Sequence, residues 1–147
     1  MKNSRTISLL GFLLFSVLPC FAHHMAVVVN KDNGTREISS VHLARLFRLE
    51  SRKWEDGKDV VIVLHKNSAG EAITLERLNK VSGDELKSFI ASHKDRITVV
   101  DSDEDVLHIV ESTPGAMGLV EVHSIDDQVN VLKVDGKLPL EAGYLPH

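Results

Sequence analysis

The sequence predicts an α/β domain in which helices pack on a largely parallel sheet. Two observations carry this. Short apolar runs of strand length alternate along the chain with segments whose large apolar residues recur at helical spacing. Turn signals, Asn33-Gly34 and Pro114-Gly115 among them, separate the two kinds of segment.

Taken in order, MAVVVN at 25–30 reads as a buried strand ended by the NKDNGT turn. The next helix, ISSVHLARLF, places Leu43, Leu46 and Phe47 on one face, with Ser39 as N-cap and Ile38 and Leu43 as a hydrophobic staple. After the KWEDGKD turn, VVIVLH at 60–65 is a second buried strand. Residues 68–81 form a helix with Leu75 and Leu78 inward, and 84–93 another with Leu86, Phe89 and Ile90 as its stripe. Ser82 and Glu85 fit a capping box at the start of the latter. ITVV at 97–100 is a short strand, and SDEDVLHIVEST is a helix showing Val106, Leu107, Ile109 and Val110. TPGA has the Pro-then-Gly order of a type II turn. MGLVEV and VNVLKVDG are the last strands.

Residues 1–22 stand apart from this domain. MKNSR supplies positive charge, TISLLGFLLFSVL is apolar, and PCFA ends in small residues, the three regions of a secretory signal peptide cleaved after Ala22. The apolar run falls short of the about 20 residues that a membrane span requires. Cys20 admits a lipoprotein reading, to which Pro19 is a poor fit. The expectation is a single domain, 23–147, in the periplasm, without a membrane span once the signal is removed. Cleavage would take away the only cysteine, so neither a disulfide nor thiol chemistry is expected.

The formal net charge is −4, and losing Lys2 and Arg5 makes it more negative. That balance argues against nucleic acid, and it provides no long-range attraction for anions. No nucleophile elbow, Walker loop or dinucleotide fingerprint is present, so no enzyme activity and no cofactor are expected. His42, His93, His108, His123 and His147 lack the i, i+4 pairing of a zinc helix. An N-terminal His23 would offer amine and ring to copper, but the sequence places no further ligand beside it. DSDED at 101–105 reads as an N-cap at Ser102 with acids in the first helical turn rather than as a metal site. Trp54 and Phe47 read as packing residues.

The order and spacing of several segments resemble the periplasmic phosphate-binding proteins of ABC importers. The matching features are the Leu-x-x-Leu-Phe helix, the turn with Trp54, Asp56 and Gly57, the run Pro114-Gly115-Ala116-Met117-Gly118-Leu119, and the tail LKVDGKLPLEAGYLP. Such proteins are two-lobed and clamp ligand between the lobes. The resemblance therefore implies one lobe of that fold here, a mixed, mostly parallel sheet flanked by helices.

The resemblance also implies an anion loop at LHKNSAGEA. In the family an Arg-x-Asp-x-Ser-Gly-Thr loop binds phosphate, and its positions fall on His65, Asn67, Ala69, Gly70 and Glu71, so only the glycine is kept. Histidine replaces a permanent fork of donors with a ring charged only when protonated. Ala69 removes a hydroxyl, and an ionised Glu71 would repel a dianion. Ser68 and Glu71 instead have the spacing of a capping box, each side chain bonding the other's amide. The candidate site is thus His65, Asn67, Ser68, Ala69, Gly70 and Glu71, holding a small oxyanion weakly. This loop and the TPGA turn are expected to share one concave edge at the carboxyl ends of the strands. The alternative is a non-catalytic envelope module that associates with itself or another protein through an apolar patch on the face a second lobe would cover.

Overall fold

A computed structural model describes residues 23–147, so the expected signal peptide lies outside the described residues. A five-stranded sheet forms its centre, built of β1 (Met25–Asn30), β3 (Val61–His65), β4 (Ile97–Val100), β5 (Ala116–Glu121) and β6 (Val129–Val131) in the order β4-β3-β5-β1-β6. Strands β4, β3 and β5 are mutually parallel, whereas β1 runs antiparallel to both β5 and β6. A separate two-stranded ribbon pairs β2 (Glu37–Ile38) with β7 (Lys133–Val134).

Four helices cover the sheet: α1 (Ser40–Phe47), α2 (Ala69–Asn79), α3 (Gly83–Ser92) and α4 (Asp103–Ser112). The period-2 alternation of strand side chains divides the interior into two cores. Val27, Val29, Ile62, Leu64, Met117 and Leu119 face α1, α2 and the C-terminal tail on one side. Val28, Val63, Ala116 and Val120 meet Val106, Leu107 and Val110 of α4 on the other. All six residues of β1 are buried, the five apolar ones in the interior and Asn30 with its side-chain amide donating to the carbonyls of Val110 and Glu111 (2.9 Å each).

The expected caps form at Ser39, Ser82 and Ser102. Ser82 and Glu85 make the complete capping box. Ile38 and Leu43 share one core, consistent with the staple. Trp54 is buried and donates its indole N–H to the carbonyl of Gly115 (2.9 Å), and His93 is the C-cap of α3, its Nδ1 2.8 Å from the carbonyl of Phe89.

Two expectations change. VNVLKVDG is divided between β6 and β7, with the fully buried Leu132 at the junction donating its amide to Val27. The TPGA turn does form, with Ala116 N–H bonded to Thr113 O (3.1 Å) and Gly115 at φ +84°. It does not, however, join the 65–71 loop. Ala116 begins β5 opposite Val61 at the start of the parallel β3, so the turn lies at the amino ends of the strands and the loop at the carboxyl ends. Among the described residues, no helix is long and apolar enough to cross a membrane.

Candidate functional site

The carboxyl end of β3 delivers His65 into the loop, where Lys66 N–H continues the ladder to Val100 O (2.7 Å). Asn67 then adopts φ +64°, a left-handed conformation that asparagine tolerates better than most residues. Ser68 is the N-cap of α2, its hydroxyl accepting from the Glu71 amide (3.2 Å).

The other half of the expected capping box is absent. Glu71 reaches past Ser68 to the end of β3, where both carboxyl oxygens lie at 3.0 and 3.1 Å from the His65 N–H, while Ser68 N–H donates to His65 O (3.3 Å). The cause is local: pairing of β3 with β5 stops at Val63, so the His65 amide has no strand partner on that side and Glu71 supplies one. The same Ser-x-x-Glu spacing closes on itself in α3, which starts on the exposed surface.

Glu71 is only 4% exposed. Burial pushes its carboxyl up to about 8, against the opposing pull of the His65 amide and with help from the charge on Asp103. At neutral pH Glu71 therefore stands mostly protonated. The expected repulsion of an incoming anion is accordingly weakened at neutral pH.

His65 is held by a second carboxylate that sequence reasoning read only as a first-turn acid of α4. Asp103 Oδ1 lies 2.9 Å from His65 Nδ1, and its Oδ2 accepts from the Glu121 amide (2.9 Å) and the Ser124 hydroxyl (2.8 Å). Beside it, Glu121 meets His23 Nδ1 at 2.9 Å and His123 Nδ1 at 3.2 Å. The partner of the 65–71 loop at this edge is thus 121–124, not the TPGA turn. The only sequence signal for Asp103 was its place at a helix start, the position at which strand-following helices in such sheets face a ligand crevice.

The predicted site residues fall into two sets. Asn67 and Ala69 are exposed, with His65 and Ser68 half-buried beside them, and the amides of Asn67 and Ala69 have no acceptor among the described residues. Gly70 and Glu71 are buried. A Cβ on Gly70 would stand 2.7 Å from His23 Cβ and 2.8 Å from Met25 Sδ, so this glycine serves packing of α2 on the start of β1. The loop can therefore present two amides, the Ser68 N-cap region and the Lys66 ammonium to an anion, with the positive end of the α2 dipole behind them. Among the described residues, no group of three or more His, Cys, Asp or Glu side chains is arranged to hold a metal ion.

No family model matches the chain. It is 32% identical over 120 residues to the phosphate-binding protein PstS of Bacillus subtilis, a match covering 78% of this chain and 37% of that protein. The fold superposes on a substrate-binding protein assigned to a phosphate ABC transporter of Clostridium perfringens, holding bound phosphate, with a TM-score of 0.65 and 19% identity over 79% of this chain and 46% of the other. An ABC-type phosphate transport receptor from Vibrio cholerae gives a TM-score of 0.63 and 17% identity, over 79% and 48% of the two chains. The chain thus spans less than half the length of each of these proteins. With sequence similarity and superposition in agreement, the chain is a phosphate-binding-protein-like domain, the counterpart of part of such a protein.

Proposed function

We propose that this domain is an exported solute-binding module that takes phosphate or a closely similar oxyanion at the 65–69 loop, with low affinity, in connection with ABC transport. The observation that carries the reading is the loop itself. In a chain similar to phosphate-binding proteins, it has two amides without acceptors, on the exposed residues Asn67 and Ala69, and a lysine at the N-terminus of α2, beside an acid that is mostly neutral at pH 7. Charged hydrogen bonds contribute about 1.5–3 kcal/mol each. On an open surface a few of them must offset several kcal/mol of immobilisation. A dissociation constant on the order of 1 mM, about −4 kcal/mol, is the result.

The protein-interaction reading called for an apolar patch at the same edge. That edge carries His23, His65, Lys66, Asn67, Glu121 and His123, and the exposed large hydrophobics are scattered over α1, α2, β4 and the tail. The apolar surface nearest that edge is the concave channel between α2 and α3 that ends at the loop, not a flat patch on the edge itself.

The test is a phosphate titration of the protein followed by amide chemical shifts. Saturable shifts of Asn67, Ser68 and Ala69 at millimolar phosphate, lost in Lys66→Glu, are expected. Affinity should fall as pH rises through about 8, where Glu71 ionises, and this fall should be smaller in Glu71→Gln. Silence of the loop at tens of millimolar would overturn the reading and leave association with a protein as the function to pursue. Gly70 is unsuited to the test, because any side chain there disturbs the packing against His23 and Met25.

A further inference from the structure

The loop does not open onto bare solvent alone. It forms one end of a groove of about 410 Å³ that continues between α2 and α3, a size in the range of small-molecule sites. Beyond Lys66, Asn67 and Ser68, its walls are Leu64, Leu75, Leu86, Ile90 and the exposed Val99.

The groove exists because α3 is incompletely packed. Its sequence carries a full apolar stripe, yet none of its residues is buried, and Leu86, Phe89 and Ile90 are only partly covered. Val99, on the edge strand β4, is 43% exposed. Apolar surface is therefore left facing an open channel that leads to the anion loop.

Charge singles out the occupant. Lys66, Lys87 and Lys94 all line the groove, and none has a salt-bridge partner among the described residues. Three free ammonium groups around one apolar channel are unexpected on a chain of net charge −4. The acids in the lining are Glu71, neutral at pH 7, and Glu76. Lysine stems can lie along apolar walls while their heads remain at the rim.

We infer that the ligand class of this site is a phosphomonoester with a short hydrocarbon body, its phosphate at the 66–69 loop and its chain between α2 and α3. This rests on the oxyanion reading of the loop and assigns the groove a role of its own. The phosphate head meets the loop amides and Lys66, the hydrocarbon replaces water on Leu75, Leu86, Ile90 and Val99, and Lys87 and Lys94 add attraction from the rim. Inorganic phosphate fills only the head end.

The experiment compares inorganic phosphate, hexyl phosphate and hexanol by amide chemical-shift titration. Hexyl phosphate is expected to bind at least tenfold tighter than phosphate and to shift the Leu75, Leu86, Ile90 and Val99 amides together with those of Asn67 and Ala69. Hexanol should bind at least tenfold more weakly than hexyl phosphate. Val99→Asn, an uncharged polar change at an exposed position, should weaken hexyl phosphate by a larger factor than it weakens phosphate. The double variant Lys87→Glu, Lys94→Glu should weaken hexyl phosphate at least fivefold without altering hexanol. Equal affinities for hexyl phosphate and phosphate, with the α3 amides unmoved, would overturn the inference and leave the oxyanion reading intact. Hexanol binding as tightly as hexyl phosphate would also overturn it, since the head would then contribute nothing. Binding of none of the three would overturn both.

Discussion

Glu71 shows how one side chain can carry the character of a loop. Its carboxyl holds the last free amide of β3, and that tie keeps it buried. An ordinary glutamate ionises near 4.5, whereas this one is pushed up to about 8, so the folded protein holds the proton more tightly than the unfolded chain does. A raised folded-state value means stability that is fully present below the unfolded value and is lost as pH rises through the folded one. Between about pH 4.5 and 8 the protein should therefore lose stability on the order of a few kcal/mol from this group alone. Glu71→Gln keeps an oxygen for the His65 amide and cannot ionise. Urea unfolding at pH 5, 7 and 9 should show the variant gaining on the wild type as pH rises, with the largest difference at pH 9. Parallel stability curves would mean that Glu71 is ionised in the folded state at an ordinary value. The same residue marks where sequence reading ended. Ser-x-x-Glu spacing predicts a capping box at both helix starts, but whether the acid closes on its own helix depends on a strand end that the spacing does not contain.

At the level of the elements, the TPGA turn ties three segments together, since the Gly115 carbonyl accepts from both the Trp54 indole and the Val61 amide. Gly115 sits at φ +84°, and its carbonyl receives the Trp54 indole N–H. A Cβ at this position would collide with the backbone carbonyl of Asp59, which cannot swing aside as a side chain could. Gly115→Ala should therefore cost on the order of 2–4 kcal/mol, from left-handed strain and overpacking together, measured as the shift in urea midpoint. A change below about 0.5 kcal/mol, the usual range for a surface substitution, would show the turn to be adaptable. This turn also marks the division between what was legible in the chain and what was not. Its type, its glycine and the strand after it follow from local chemistry, as do MAVVVN, ITVV and the Ser82 cap. Its position relative to the 65–71 loop does not, because that depends on β3 and β5 being parallel neighbours, a pairing between residues 61–63 and 116–118. Asp103 escaped for a similar reason. It sits in an acidic run that helix-start chemistry explains fully, and its bond to His65 spans 38 positions of sequence. Local signals place residues on elements; long-range register decides which of them meet.

The whole molecule depends on the sheet being shared. Helix α4 packs on one face and α1 and α2 on the other, and every strand of the parallel set supplies side chains to both cores. Gly118 shows how close the approach is: a Cβ there would lie 2.6 Å from Val106 of α4. The tail is tied in as well, since the buried Tyr144 hydroxyl donates to Leu132 O (2.7 Å) and accepts from Val27 N–H (3.1 Å), joining residues 117 positions apart. Burial raises that phenol to about 12, so it remains a neutral donor throughout the accessible pH range. With no second cysteine in the sequence, there is no disulfide to hold one face if the other opens. A chain of this size whose two cores rest on one sheet should unfold in a single cooperative step, even though it spans less than half the length of the proteins it resembles. The sole tryptophan makes the test direct. Trp54 reports the core on the α1 side, while far-UV circular dichroism reports all helices at once, including α4 on the other face. Urea transitions followed by the two signals should coincide in midpoint and slope. If tryptophan exposure preceded the loss of helix, the α1 face would be opening alone, and the domain would need a covering partner to be a stable unit.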